Sequence, residues 1–386
     1  MTQQTSPRKK NRKIVYCTPS IYIAGGIERV LTTKVNYLSQ KGYDVTIILT
    51  DGKGKDPFFP LSENVKVINL DIGFEELWNK SFLPKTFLYL KKQHIYKRKL
   101  RETLMAIRPD ITISTLRREI NFINDIPDGS KKIGEMHINR QNYRNFEAND
   151  TNAMKRLFGR LWMSQLLRKL KRLDRMVVLT KEDAAAWKEI GKLSVIPNPL
   201  PGTGNIMRST LDNKRVIAVG RYTYQKGFDL LLTAWKKVEE QCPDWSLYVF
   251  GDGDRTPYAK LAGDLGLKHC HLNGSSQDIQ HEYSDSSIFV CSSRFEGFGM
   301  VILEAMACGL PAISFNCPLG PGSLIDSQKN GLLIKNGDTE AMAAGIIQLA
   351  SSPEQRKKMA KGAIGKSESY DISHIGKQWE ELFDSL

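Results

Sequence analysis

Residues 292–311 read Ser292-Ser293-Arg294-Phe295-Glu296-Gly297-Phe298-Gly299-Met300-Val301-Ile302-Leu303-Glu304-Ala305-Met306-Ala307-Cys308-Gly309-Leu310-Pro311. The run 287–291 before them is short, apolar and strand-like. Gly297 and Gly299 permit a tight loop with close backbone approach, an apolar helix follows to Cys308, and Gly309 and Pro311 end it. Strand, glycine loop and helix in that order are the repeating unit of a parallel sheet wrapped by helices. The loop carries one carboxylate, Glu296, and the helix another, Glu304. A charge on so apolar a helix needs partners, and ribose hydroxyls or a structural salt bridge both fit.

The same alternation runs through the whole chain. Apolar runs at 14–18, 45–50, 65–70, 111–116, 133–136 and 176–179 alternate with helix-length amphipathic segments in the first half. Runs at 216–219, 246–250, 287–291, 312–315 and 331–334 do so in the second. Each half reads as a doubly wound α/β sheet. The 386 residues exceed one ordinary core, and the Pro-, Gly- and polar-rich stretch 197–213 reads as a linker. The expected division is a basic tail over 1–12, a Rossmann-like domain over 13–200, a linker over 201–213, a second Rossmann-like domain over 214–370 and a last helix over 371–386. In such sheets ligands bind beyond the carboxyl ends of the strands, so two domains facing across a cleft would enclose a site.

Residues that carry chemistry cluster at those ends. Arg221 and Lys226 stand five apart between a strand ending at Val219 and a helix from Phe228. A planar fork and a compact cation suit a diphosphate, and Lys226-Gly227 opens a helix whose N–H groups favour anions; a solvated basic loop is the bland reading. Gly25-Gly26 likewise separates the first strand from a helix. His137 closes the run from Lys132, where an imidazole either serves the core or bonds a ligand hydroxyl. Asp252-Gly253-Asp254 matches an Asp-x-Asp metal pattern but lies in a glycine turn, where carboxylates are ordinarily solvated. With Arg221, Lys226 and helix amides to neutralise a leaving diphosphate, no metal is required and none is expected.

Glu296-x7-Glu304 after a strand, with Gly297-Phe298-Gly299 between, resembles the signature of glycosyltransferase family 4, retaining nucleotide-sugar transferases of the two-domain GT-B fold. Val219-Gly220-Arg221-Tyr222-Thr223-Tyr224-Gln225-Lys226-Gly227-Phe228-Asp229 resembles its diphosphate loop, and Gly25-Gly26-Ile27-Glu28-Arg29 its amino-terminal glycine loop. Val195-Ile196-Pro197-Asn198-Pro199 is similar to the segment closing its first domain, so ordered motifs extend over most of the chain. The resemblance implies catalytic roles for Glu296, Arg221, Lys226 and His137, the last touching the transferred sugar. It implies donor binding by Gly25, Gly26, Arg221, Lys226, Gly297, Phe298, Gly299 and Glu304, no cofactor beyond the sugar donor, and a final helix crossing back onto the first domain. The stretch 314–325 resembles a Phe-Asp-Cys-Pro-x-Gly-Pro-x-Glu-Ile-Ile pattern of members that extend polysaccharides or lipid-linked sugars, several with UDP-galactose-type or UDP-N-acetylhexosamine donors. Asn316 and Ser323 here replace acidic residues of that pattern.

The net charge of +14 is lopsided. Residues 1–200 hold 37 Lys+Arg against 20 Asp+Glu, whereas the remainder holds 19 against 22. That asymmetry points to an anionic partner on the first domain. In 85–101, Lys91, Lys92, Lys97 and Arg98 interleave with Phe87, Tyr89, Leu90 and Tyr96, an expected membrane or acceptor surface. The basic segment 153–175 has a regular apolar stripe that fits either a membrane or the domain's own sheet. A nucleic-acid partner uses the same charge but lacks a recognisable module, and a same-fold 2-epimerase or phosphorylase is the enzymatic rival. Six scattered cysteines form no CxxC pair, and no signal peptide or spanning run is evident, so a reduced, cytoplasmic setting at the inner face of the membrane is expected. The combined reading is a retaining hexosyltransferase that uses a nucleotide sugar, UDP-linked by expectation, and glycosylates a lipid or lipid-linked saccharide.

Overall fold

A computed structural model describes residues 11–23, 25–77, 81–137, 140, 153–202, 206–318 and 320–386, as backbone alone at 82–84, 153–158 and 160. The chain divides into two units, Met1–Pro199 with Ile372–Leu386, and Leu200–Asp371.

The first unit runs β1 (Lys13–Thr18), α1 (Gly26–Gln40), β2 (Asp44–Leu49), β3 (Lys66–Asn69), α2 (Phe82–Ile107), β4 (Ile111–Ser114), β5 (Lys131–Glu135), α3 (Ala153–Leu170), β6 (Arg175–Val178), α4 (Lys181–Ala186) and β7 (Leu193–Val195). Its sheet has the order β3-β2-β1-β4-β5-β6-β7, and all neighbours are parallel. Strands covered by helices on both faces must be apolar on both; accordingly β1 is buried from Ile14 to Thr18 and β4 throughout. The second unit runs β8 (Arg215–Val219), α5 (Phe228–Gln241), β9 (Ser246–Phe250), α6 (Thr256–Leu265), β10 (Cys270–Asn273), α7 (Ile279–Ser284), β11 (Ile288–Cys291), α8 (Met300–Ala307), β12 (Ala312–Phe315), α9 (Pro321–Leu324), β13 (Gly331–Ile334), α10 (Thr339–Ser351) and α11 (Pro353–Glu368). Its parallel order is β10-β9-β8-β11-β12-β13. These are two Rossmann-like parallel sheets. Edge strands β7 and β10 carry no apolar run, because an edge is covered less; both are partly exposed, and neither was expected from the sequence.

The helices show how each unit fills its core. α5 buries Leu231, Leu232, Trp235 and Val238 at helical spacing. α2 buries Tyr96, Leu100 and Leu104, and stops at Arg108, a left-handed residue followed by Pro109. The carboxyl-terminal part of the α3 stripe is spent on the core, with Leu166 and Leu170 buried beside Trp187 and Phe122. Packing thus accounts for Leu166, Leu170 and Leu173 of the stripe in 153–175, while Leu161 of the same stripe is 61% exposed.

The last helix, α12 (Ile372–Asp384), belongs to the first unit, where it lies on α1. Gly376 meets the Tyr37 ring so closely that an added Cβ would overlap it, while the Tyr37 hydroxyl donates to Glu380 Oε1 at 2.7 Å. Gly376→Ala is therefore expected to destabilise the first unit by about 1–3 kcal/mol. Gly263→Ala, in the interior of α6 where the new methyl meets open space, should instead stabilise the second unit by about 0.4–1 kcal/mol. Denaturant unfolding of the two variants checks both signs.

Candidate active site

In a doubly wound sheet the loops diverge where the strand order reverses, which leaves a crevice at the strand carboxyl ends. In the second unit that point lies between β8 and β11. The loop after β8 carries Arg221 and Lys226, and the loop after β11 carries Glu296, Gly297 and Phe298. The two loops are stitched together. Ser292 Oγ donates to the Lys226 carbonyl (2.9 Å), Gln225 Nε2 to the Phe295 carbonyl (3.0 Å), and Arg294 N–H to the Gln225 carbonyl (2.8 Å). Arg294 also forks onto Asp229 (2.9 and 2.6 Å) and stacks on Tyr224 (4.0 Å). Gly227, at φ 62°, turns the chain into α5 so near the Ser292 carbonyl that no side chain fits.

Within this frame Lys226 Nζ donates to Glu296 Oε1 at 2.7 Å, and the Ser293 hydroxyl donates to the same oxygen at 2.6 Å. Burial opposes the charge on Lys226, but Glu296 outweighs it and raises the ammonium above its usual range. Cys291 bonds Ser293 (3.5 Å), and burial pushes the Cys291 and Cys317 thiols up, so they stay protonated beside the pair. Arg221 is exposed and has no side-chain partner among the described residues. Phe298 is buried, Gly299 at φ 91° starts α8, and Glu304 is half-buried on that helix. Asp252 and Asp254 accept the N–H groups of Gly253 (2.8 Å) and Thr256 (2.9 Å), closing their own turn. Among the described residues no group of three or more His, Cys, Asp or Glu is placed to hold a metal ion.

In the first unit the order reverses between β1 and β4, and a cavity of about 950 Å³ opens there, lined by Thr18, Asp51, Glu75, Tyr89, Arg117 and Arg118 among others. Tyr22 OH donates to Glu75 at 2.5 Å, and Arg118 lies 3.9 Å from Asp51 and stacks on Phe74. Gly25 caps α1 and Gly26 begins it, but a side chain at Gly25 would collide with the Glu28 carboxylate. The start of α1, an expected anion cradle, is thus already faced by the Glu28 carboxylate.

His137 follows β5, with its side chain only 4% exposed and Nε2 3.4 Å from Glu135 Oε1. Lys34 of α1, 2% exposed, bonds the same carboxylate oxygen and lies over the Trp379 ring (4.7 Å). Burial pushes the Lys34 ammonium down. Burial also works against Glu135, but Lys34 and His137 outweigh it and hold the carboxyl at about 2. Nothing in the sequence marked this network, since Lys34 and Glu135 are 101 positions apart.

The outer face of α2 corrects one residue of the expected membrane surface. Lys91, Lys97 and Arg98 are exposed, with Phe87 (72%) and Leu90 (61%) between and beside them. Lys92 is not part of that face: its side chain is 14% exposed, donating to the Ile72 carbonyl (2.5 Å) and pairing with Glu76 (3.1 Å). Lys99 is similarly tied to the Leu70 carbonyl at 2.6 Å. The described helices include none long and apolar enough to cross a membrane.

Residues 206–366 match the family described as glycosyl transferases group 1, the stretch that holds the stitched loops. The matched stretch is similar to that family, and the two Rossmann-like parallel sheets are those of the GT-B fold. Over its whole length the chain is similar to an uncharacterised glycosyltransferase of Haemophilus influenzae, 29% identical and covering 96% of this chain and 99% of that protein. The amylovoran biosynthesis glycosyltransferase AmsD of Erwinia amylovora is 28% identical, with 96% and 99% covered. Among solved structures, a point mutant of S. aureus TarM in complex with fondaparinux, α-GlcNAc-glycerol and UDP superposes with a TM-score of 0.75, covering 96% of this chain and 99% of that one; at 15% identity this likeness shows the fold.

The Glu135 carboxyl gives the first unit a defined acid response. Its folded value of about 2 lies below the 4.5 of a free glutamic acid, so its contribution to stability is complete above 4.5 and drains away as pH falls toward 2. Glu135→Gln should flatten that part of the acid-unfolding profile, as read from denaturation midpoints across the same pH range.

Proposed function

We propose that the protein is a retaining, family 4 hexosyltransferase that takes its sugar from a UDP-linked donor and places it on a hydroxyl of a lipid-linked saccharide in cell-surface polysaccharide assembly. The observation that carries the donor reading is the pairing of the buried Lys226–Glu296 contact with an unpartnered Arg221 at the reversal point of the second sheet. A diphosphate there meets Arg221, Lys226 and the start of α5, while Glu296, released from Lys226 or shared with it, accepts hydrogen bonds from the sugar's hydroxyls. As the bond from the anomeric carbon to the phosphate oxygen breaks, the two cations take up the charge growing on the diphosphate. The acceptor hydroxyl forms its new bond on the same face and passes its proton to the departing phosphate. His137 of the first unit contributes a contact to the transferred sugar, and Glu304 one to the ribose. The cations suffice without a metal ion. TarM's complex with UDP supports the donor, and AmsD's part in amylovoran biosynthesis supports the polysaccharide setting.

The acceptor reading rests on the first unit. Lys85 and Tyr89 line its cavity, and on the same helix Phe87, Leu90 and Lys91 face outward, so one element joins a largely apolar cavity, set with charged side chains, to an apolar, basic surface. That combination suits a saccharide on a lipid anchor at an anionic bilayer. The setting proposed is the cytoplasmic face of the plasma membrane, with the protein held peripherally.

UDP should raise the melting temperature more than GDP or NAD at equal concentration, since a ligand at a hundred times its dissociation constant stabilises the fold by about 2.7 kcal/mol. Arg221→Ala and Lys226→Ala should each lower turnover about a hundredfold, and EDTA should leave it unchanged. Absence of any nucleotide shift, or activity abolished by EDTA and restored by manganese, overturns the donor reading or its metal-free form respectively.

Replacing Lys91, Lys97 and Arg98 by Gln should detach the protein from acidic liposomes, each charge contributing about 1 kcal/mol at such a surface. Hydrolysis of the nucleotide sugar should persist while transfer to a lipid acceptor falls. Undiminished flotation with anionic vesicles would remove α2 as the docking face.

A further inference from the structure

The geometry points to Glu135 as a positioning residue that fixes the ring of His137 with its proton on Nε2 and a bare lone pair on Nδ1. A neutral imidazole carries one N–H, and its two nitrogens are distinguished only by what each faces. Here Nε2 stands 3.4 Å from Glu135 Oε1, whereas Nδ1 is buried and has no hydrogen-bond partner among the described residues. Placing the proton on Nδ1 would set the lone pair of Nε2 against a carboxylate, so the charge of Glu135 selects the other form. Lys34 is what keeps that charge present. Its ammonium bonds the same oxygen, and the rings of Tyr16 (5.5 Å) and Trp379 (4.7 Å) cover it, so the carboxylate remains ionised in a dry setting. The other groups around the carboxylate do not compete with His137. The Tyr16 phenol has no partner and is pushed well above its usual range, and Glu380 of α12 takes the Tyr37 hydroxyl.

The consequence is directional. Nδ1 accepts and does not donate, so the ligand group it takes is a hydroxyl presenting its hydrogen, such as one on the transferred hexose. This step rests on the reading of His137 as a sugar contact; the ring's orientation by Glu135 does not. Through Trp379 over Lys34, the last helix becomes part of what sets the protonation of a residue that follows β5.

Two measurements on the full chain separate the alternatives. With histidine ring nitrogens labelled with ¹⁵N, and His137 assigned by its loss in His137→Ala, NMR at neutral pH should show the Nε2–H form, changing to a mixture of tautomers in Glu135→Gln. A wild-type Nδ1–H form, or a Glu135→Gln spectrum like wild type, overturns the inference. The Lys34→Gln/Glu135→Gln double variant removes both charges, and it decides the matter by the same spectrum if the single variant folds poorly. In kinetics, Glu135→Gln should lower turnover roughly tenfold, the worth of one hydrogen bond in the transition state, with little change in KM for acceptor. Adding it to His137→Ala should cost nothing more, because both changes remove one contact. Additive losses would make Glu135 merely structural and refute the positioning role. Full activity in His137→Ala would refute the sugar contact of the proposed function and the directional step built on it, whatever tautomer the spectrum shows.

Discussion

Parallel strands can be joined only by crossovers that pass over a face of the sheet, and this constraint governs both units. A crossover of fixed hand lays successive strands to one side until the chain returns to the starting strand and proceeds the other way. Each sheet reverses once, at β1 and β4 in the first unit and at β8 and β11 in the second. At the reversal, adjacent loops lead to helices on opposite faces, and their separation opens a crevice. The cavity of the first unit and the Lys226–Glu296 contact of the second each occupy such a point.

Both units place a lysine–glutamate pair in a dry environment. Taking two charges out of water costs more than most single contacts return, so the pairs persist only with additional hydrogen bonds or ring contacts around them. Ser293 supplies one at Glu296, and Trp379 and Tyr16 surround Lys34. The pairs differ in what lies nearby. Lys226 belongs to a loop whose Arg221 is exposed, which leaves room for a ligand to redistribute the charges. Lys34 lies under a helix, which makes its pair a fixed source of potential for the ring beside it.

The excess positive charge of the first unit is used in two ways. Some of it is structural: Lys92 and Lys99 tie α2 to carbonyls after β3, and Lys132 pairs with buried Asp128. The rest projects from α2 among exposed aromatic and aliphatic side chains. Composition counts the two populations together, because a lysine bonded to a backbone carbonyl and one facing solvent have the same sequence signature. A long flexible stem lets lysine serve either role.

The sequence by itself determined the alternation of strands and helices, the α/β class, and the glycine-bearing loops after β1, β8 and β11. Those features are local: a buried parallel strand must be an apolar run, and a tight turn into a helix needs glycine. Ser246–Phe250, Ala312–Phe315 and Gly331–Ile334 are strands for that reason. The edge strands β7 and β10 lacked the signal because an edge needs less apolar covering. Only tertiary structure decided the partners of the charges. Lys34 with Glu135, Lys226 with Glu296, and Glu28 against Gly25 depend on which strand lies beside which and on how far each helix is displaced along its sheet. Electrostatic contacts act over a few ångströms in space, without regard to separation along the chain, so no pattern of spacing encodes them.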